Sequence, residues 1–332
     1  MEMKASDLGE RGIIELIWSV LSEHGGFKPS KIPLPHPDDA TAIEMEGGKY
    51  LLMKSDTFVK RTDAPRGMRH RSMGRKALVM NISDLAAKGA EPLAFLFSLG
   101  VPRGYDARRI EELVQGLAEA SREYCVPILG GDVCESKELF VAGFATGAAK
   151  RIVRRSGATP GDIVAVTGPF GDTAAALRIL LEGLEAPPRL RRKALRSIYE
   201  PSARLGLGRR LAEAGVVTSS MDSSDGLAFT LNELARSSKV GMRISSIPAS
   251  PVALELSRLH RLNVSDLVFF GGEEYEIVYT VSRGKWEDAL RISRESGGHL
   301  IGIGEVILGS AVIYSEGGAE VPVPPKGWEH LK

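Results

Sequence analysis

The chain puts carboxylates at positions that could gather into one site. Asp38 and Asp39 close a Pro-rich loop just before a strand. Asp56 ends the run "KYLLMKSD", and Asp132 follows a Gly pair in "PILGGD". Asp222 and Asp225 flank two serines in "MDSSDGL", and Glu273 follows another Gly pair in "FFGGEEYEIVYT". Taken singly, such residues serve turns and helix caps, and Asp222 or Ser224 suits the start of the helix that follows. Asp84 is different. It lies in "GRKALVMNISDLAAKGAEP" (74–92), where Leu78, Ile82 and Leu85 fall at i, i+4 and i+7, and Ala77, Val79, Met80, Ala86 and Ala87 fill the other faces. That pattern predicts a buried helix. Gly89 and Pro92 are its stop signals.

A buried carboxylate needs a partner. Lys88 could supply one at i,i+4, although a lysine at a helix C-terminus needs no further reason. The sharper reading is a shared Mg²⁺ cluster. Mg²⁺ takes hard oxygen ligands and is held by a few carboxylates together with substrate phosphates. Acids at strand ends and helix starts converge at one edge of an α/β sheet, and several together repel unless cations sit among them. No G-x-x-x-x-G-K-[ST] run and no kinase catalytic-loop motif is present. "GPFGDTAA" precedes a helix and could turn its amides toward an anion. "ILGGD" could bring backbone amides close to a phosphate. The residues point to Mg²⁺-dependent phosphate chemistry on a non-standard nucleotide fold.

The elements that must position these residues follow from the apolar patterning. An amphipathic N-terminal helix carries Ile13, Leu16, Ile17, Val20 and Leu21 on one face. Strands, the apolar helix, a continuous apolar strand "PLAFLFSLGVP" that reads as buried, a second helix and two more strands follow. The pattern stops at "GAAKRIVRRSGATPGD" and restarts as a second α/β set. The expected architecture is α/β (α+β), with two mixed domains, 1–149 and 150–332.

Composition narrows the function further. With 43 basic and 42 acidic residues the net charge is +1, which favours neither nucleic acid nor an anionic membrane. No apolar run suits a membrane span, and the N-terminus lacks a signal-peptide pattern, so a cytoplasmic protein is expected. The two cysteines, Cys125 and Cys134, are too few for a disulfide scaffold or a tetrahedral zinc site and read as small buried side chains. Scarce Asn and Gln with many charges resemble thermophile composition.

The ordered motifs "DDA", "SDTF", "KALVMNISDLAAKGAEP", "GGD", "RRSGATPGDIVAVTG", "MDSSDGL", "GGEEYEIVYT" and "KGWEH" resemble those of the thiamine-monophosphate kinases. These belong to the aminoimidazole-ribonucleotide-synthetase-like ATP-binding superfamily. The resemblance implies an N-terminal domain whose sheet forms a dimer-interface barrel, a C-terminal domain that completes the substrate site, and a homodimer. It implies transfer of the ATP γ-phosphoryl group to thiamine monophosphate with several Mg²⁺ ions. It assigns Asp39, Ser55, Asp56, Asp84, Asp132, Asp222 and Asp225 to metal positions, with Asp84, Asp132 and Asp222 at the chemistry. Gly131, Asp132, Arg155 and Ser224 fall on ATP positions, and Asp63, Glu273 and Trp328 on the thiamine side. The alternatives are a superfamily synthetase acting on an amide or carbonyl oxygen, and a non-catalytic Mg-nucleotide-binding regulator. The chain departs from the family pattern at Pro37, at Lys54 (usually Ser or Thr, where a cation could replace one metal), at Lys88 and at Glu274.

Overall fold

The computed structural model describes residues 4–24, 32–329 and 331. The start of the Pro-rich loop (25–31) and His330 of "KGWEH" lie outside them. The first half runs α1 (Ala5–His24), β1 (Thr41–Met45), β2 (Lys49–Val59), α2 (Lys60–Asp63), α3 (His70–Ala87), β3 (Glu91–Val101), α4 (Ala107–Glu123), β4 (Ile128–Glu135) and β5 (Phe140–Ala149). The second half runs β6 (Ile163–Val166), α5 (Asp172–Leu181), α6 (Pro188–Tyr199), α7 (Leu205–Ala214), β7 (Val217–Asp222), α8 (Leu227–Ser238) and β8 (Gly241–Ile244). It continues through α9 (Pro251–His260), α10 (Val264–Phe269), β9 (Ile277–Val281), α11 (Trp286–Glu295), β10 (Ile301–Ile307), β11 (Val312–Glu316) and β12 (Ala319–Pro322).

The strands form a five-stranded sheet, ordered β1-β2-β5-β3-β4, and a seven-stranded sheet, ordered β12-β11-β8-β10-β6-β9-β7. The mixed α/β class follows from this. The first sheet is open in a single chain, with β1 and β4 at its edges. Its inner face buries Leu52, Phe58, Phe95, Val141 and Ala145. Its outer face leaves Ile43, Leu96 and Phe144 exposed. The expectation that "PLAFLFSLGVP" is fully buried is therefore corrected: β3, antiparallel to β5 and parallel to β4, alternates, with one face to the core and one uncovered. Asp56 also does not end its strand, since β2 continues to Val59.

Helix α3 is the buried helix expected around Asp84, and Gly89 stops it at φ 78°, a left-handed turn that glycine takes without a Cβ penalty. The helix packs on β2, β3 and β5 of one sheet and reaches α7 and β7 of the other half. Its last residues, Ala86 and Ala87, share a core with Val217, Ile277 and Tyr279, and the hydroxyl of Ser220 donates to the carbonyl of Ala87 at 2.5 Å. Against α4 it packs backbone to backbone. A Cβ on Gly74 would lie 1.9 Å from the Leu113 carbonyl oxygen, and one on Gly116 would lie 1.8 Å from that of Arg71. Glycine at both positions sets the approach of the two helices.

The expectation that the two cysteines are buried is also corrected. Both cysteines are exposed: Cys125 sits just past the C-terminal end of α4, and Cys134 is on edge strand β4. The apolar face of α1 is uncovered at Leu16, Ile17, Val20 and Leu21. Among the described residues, no helix is long and apolar enough to cross a membrane.

Candidate active site

Three elements bring acids to one point. The loop before β1 supplies Asp39, α3 supplies Asp84, and the end of β7 supplies Asp222. All three are buried, with ligand oxygens within 4.8 Å of one another. Ser83, next to Asp84, donates to Asp222 Oδ2 at 2.7 Å. The i,i+4 pair that Lys88 could have made with Asp84 does not form. Asp84 instead pairs with Lys54, whose Nζ is 2.9 Å from Oδ2. Lys88 turns to Asp38 and Asp39, at 2.7 and 2.8 Å, and donates to the Ser220 carbonyl at 2.7 Å. Arg155 Nε donates to Asp39 Oδ1 at 2.9 Å.

Three fixed cations thus meet the cluster, but the carboxylates outnumber them. Burial favours the neutral acid at Asp39, yet Arg155 and Lys88 hold its carboxyl below the usual range. At Asp84, burial and the nearby Asp222, Asp39 and Asp56 outweigh Lys54 and push the carboxyl well up. Burial and Asp39 raise Asp222 to about 6, and burial and Asp222 raise Asp225 to about 7. Burial opposes the charge on Lys54, but Asp84 and Asp56 keep it protonated above the ordinary lysine range. Carboxyls pushed up in this way are short of positive charge. The donor chemistry fits Mg²⁺: hard oxygens cluster without His or Cys, and the buried Ser223 Oγ and Asn81 Oδ1 have no hydrogen-bond partner.

Asp56 lies two residues beyond Lys54 on the same inner face of β2, and its carbonyl accepts from Asn81 Nδ2 at 3.4 Å. Ser55 and Asp132 lie elsewhere. Cross-strand partners share a face. Ser55 is in register with the exposed Phe144 and Leu96, and Asp132 with Ser98 and Ala142 in the next row but one. Both therefore sit on the outer face of the sheet, away from Asp84. Gly131 and Asp132 are on exposed edge strand β4.

The remaining candidates form a second group. Lys76, on α3, is fully buried. Its Nζ reaches Glu273 Oε1 at 2.5 Å and the Asp63 carbonyl at 2.7 Å. Asp63 Oδ2 accepts from the Val59 amide at 2.6 Å. The Glu273 amide donates to the Ser224 carbonyl at 2.6 Å, and the Trp328 amide to the Asp225 carbonyl at 3.1 Å. Glu273 and Tyr275 both hold positive φ, 64° and 53°, a strain that clusters at working loops. Lys76 precedes Asp84 by eight residues, about 12 Å along the axis. Sequence reading missed Lys76. Its signal was a charge on an apolar helix, spaced at multiples of four from Asp84 and Lys88. Neither Asp222 nor Ser224 caps α8, whose N-cap is Gly226 with no side-chain bond.

"GPFGDTAA" is not open to a phosphate. Glu274 Oε1 accepts from the amides of Gly171 and Thr173, at 2.6 and 3.3 Å, and fills the N-terminus of α5. Burial and the like charge of Asp172 push this carboxyl from 4.5 up to about 8. The folded state therefore holds the proton more tightly than the unfolded chain. The stability this contributes is complete below the unfolded value and is lost as pH rises through about 8. Glu274→Gln keeps an acceptor oxygen without the charge. We expect the wild type to lose melting temperature between about pH 5 and pH 9 more steeply than the variant, which is the more stable at the alkaline end. Parallel profiles in thermal unfolding would refute this assignment.

The patterns of the AIR synthase related protein, N-terminal and C-terminal domains, match residues 37–149 and 159–314. The chain is 37% identical over 297 residues to a thiamine-monophosphate kinase of Pyrococcus horikoshii, covering 89% of this chain and 90% of the relative. It is 36% identical over 282 residues to one of Nitrosopumilus maritimus, covering 85% and 89%. A solved structure, AaThiL complexed with AMPPCP and TMP, superposes with a TM-score of 0.86 at 29% identity over 99% of both chains. The conserved architecture and these end-to-end matches place the chain in the thiamine-monophosphate kinase family of AIR synthase related proteins.

Proposed function

We propose that the chain transfers the γ-phosphoryl group of ATP to thiamine monophosphate, directly and in line, with Mg²⁺ held by its buried acids. The observation that carries the reading is the buried Asp39–Asp84–Asp222 cluster, in a fold whose close structural neighbour was solved with AMPPCP and TMP. The acceptor phosphate is already largely ionised near neutrality, with a second pKa of about 6, so no protein base is required. This agrees with a site rich in Asp and without His. Bound Mg²⁺ supplies charge neutralisation and orientation for the two sets of phosphates. Asp39, Asp56, Asp84, Asp222 and Asp225 hold it in this reading, and Arg155 and Ser224 serve ATP. Residues 1–149 provide most of the acids, and residues 150–332 complete the site. Glu273, fixed by Lys76, offers a carboxylate to the cationic ring of thiamine, beside Asp63. Two exposed free thiols suit a reducing cytoplasm.

The uncovered outer sheet face with Ile43, Leu96 and Phe144, next to free edge strand β4, suits a second copy of the chain, since such patches mark interaction sites. Ser55 and Asp132 lie on this face, so a dimer would line its seam with both. Leu96→Asp with Phe144→Asp is expected to halve the mass seen in sedimentation. A wild-type monomer at micromolar concentration would exclude the dimer.

ADP release tests the activity. It should require both Mg²⁺ and thiamine monophosphate. Asp84→Asn, similar in size but uncharged, should lower turnover by about a hundredfold or more, since a metal contributes several kcal/mol and ~3 kcal/mol is already that factor. Unchanged turnover at saturating Mg²⁺ would return Asp84 to a structural role. ADP release with another acceptor but not with thiamine monophosphate would favour a synthetase.

Trp328 is 57% exposed, and its Cβ comes within 3.8 Å of a Cβ built on Gly272, beside Glu273. In this reading the indole stacks on a thiamine ring, an interaction typically worth ~0.5–1.5 kcal/mol. Trp328→Ala should raise the KM for thiamine monophosphate several-fold and leave the KM for ATP nearly unchanged. An equal rise in both would count against stacking.

A further inference from the structure

Lys54 is the residue that sets this cluster apart. It stands on the inner face of β2, and its Nζ is 2.9 Å from Asp84 Oδ2. The other two cations are committed elsewhere: Lys88 to Asp38, Asp39 and the Ser220 carbonyl, and Arg155 to Asp39. Among the described residues, Lys54 is therefore the cation paired with Asp84. Mg²⁺ binds oxygen at about 2.0–2.1 Å. An ammonium in hydrogen-bond contact with Oδ2 fills the space that an ion on that oxygen would need. It also carries a single charge that cannot dissociate from the protein.

We propose that the Lys54 ammonium is a tethered cation in a metal position on Asp84. The Asp39–Asp84–Asp222 cluster then takes one divalent ion fewer than the same carboxylates would with a small hydroxyl side chain at residue 54. The proposal rests on the Mg²⁺ reading of the cluster. Its consequence is that one oxygen of Asp84 is engaged and the side chain held in place before any metal arrives. The free carboxylate oxygen of Asp84, Oδ1, remains available to an ion shared with Asp39 or Asp222.

Counting bound ions tests this without turnover. Wild type and Lys54→Ser are titrated with Mn²⁺ at saturating AMPPCP, with no thiamine compound present, and free Mn²⁺ is read by electron paramagnetic resonance. The variant should bind one more Mn²⁺ per chain. Without metal its melting temperature should fall below that of the wild type, and Mn²⁺ should restore it. Equal, non-zero counts would remove this proposal and leave the Mg²⁺ reading standing. No Mn²⁺ on either protein would remove both. Should the variant not fold, Mn²⁺-soaked wild-type crystals decide the question by anomalous scattering. The amino group should keep its contact with Asp84 Oδ2, whereas an ion on that oxygen with Lys54 swung away would overturn the proposal.

Discussion

Charge cannot be left uncompensated between two hydrophobic cores, and this constraint organises the molecule. Helix α3 runs from one sheet to the other and carries a carboxylate into the seam. Removing one partner of a buried ion pair commonly costs about 3–5 kcal/mol, a large share of the stability of any domain. The partners of Asp84 and its neighbours come from distant parts of the chain: Lys54 from the first sheet, Arg155 from the connection between the sheets, and Asp222 from the second sheet. Holding the charges together therefore holds the two halves together. Ser83 on Asp222, and Lys88 on the Ser220 carbonyl, tie α3 to β7 by hydrogen bonds that apolar packing alone would not direct.

The same constraint divides labour among the anion-binding devices of the fold. An α-helix N-terminus would ordinarily attract phosphate. In α5 the chain fills that position with its own Glu274. Negative charge is thus excluded at the helix and concentrated at the acids. Polyphosphate can be held at such acids only through intervening cations.

Part of this was legible in one dimension. Asp84 was conspicuous because the helix around it is apolar on every other face, and Gly89 marked its end. The ordered acidic motifs carried enough type and spacing to indicate the family. What stayed hidden depends on register and on long-range contact. No local signal tells that Lys54 meets Asp84, 30 positions away, or that Ser55 and Asp132 share the outer face. Cysteines 125 and 134 read as core residues by type, yet they stand at a helix end and on an edge strand. The apolar run of β3 looked like a buried strand because an uncovered apolar face has the same composition as a covered one.

The paired glycines where α3 crosses α4 bear on how such a sequence can drift. Gly74 is about 15 Å along the helix from Asp84 and touches no charged group of the cluster. Yet any side chain there would collide with the Leu113 carbonyl, as one at Gly116 would with Arg71. Relief would come by pushing α3 away from α4, and α3 is the rod on which Asp84 and Lys76 are mounted. Lineages of this protein are thus expected to hold both positions fixed or to exchange them only alongside a compensating shift in the facing helix. Two residues with no chemistry of their own inherit the evolutionary rigidity of the site they aim.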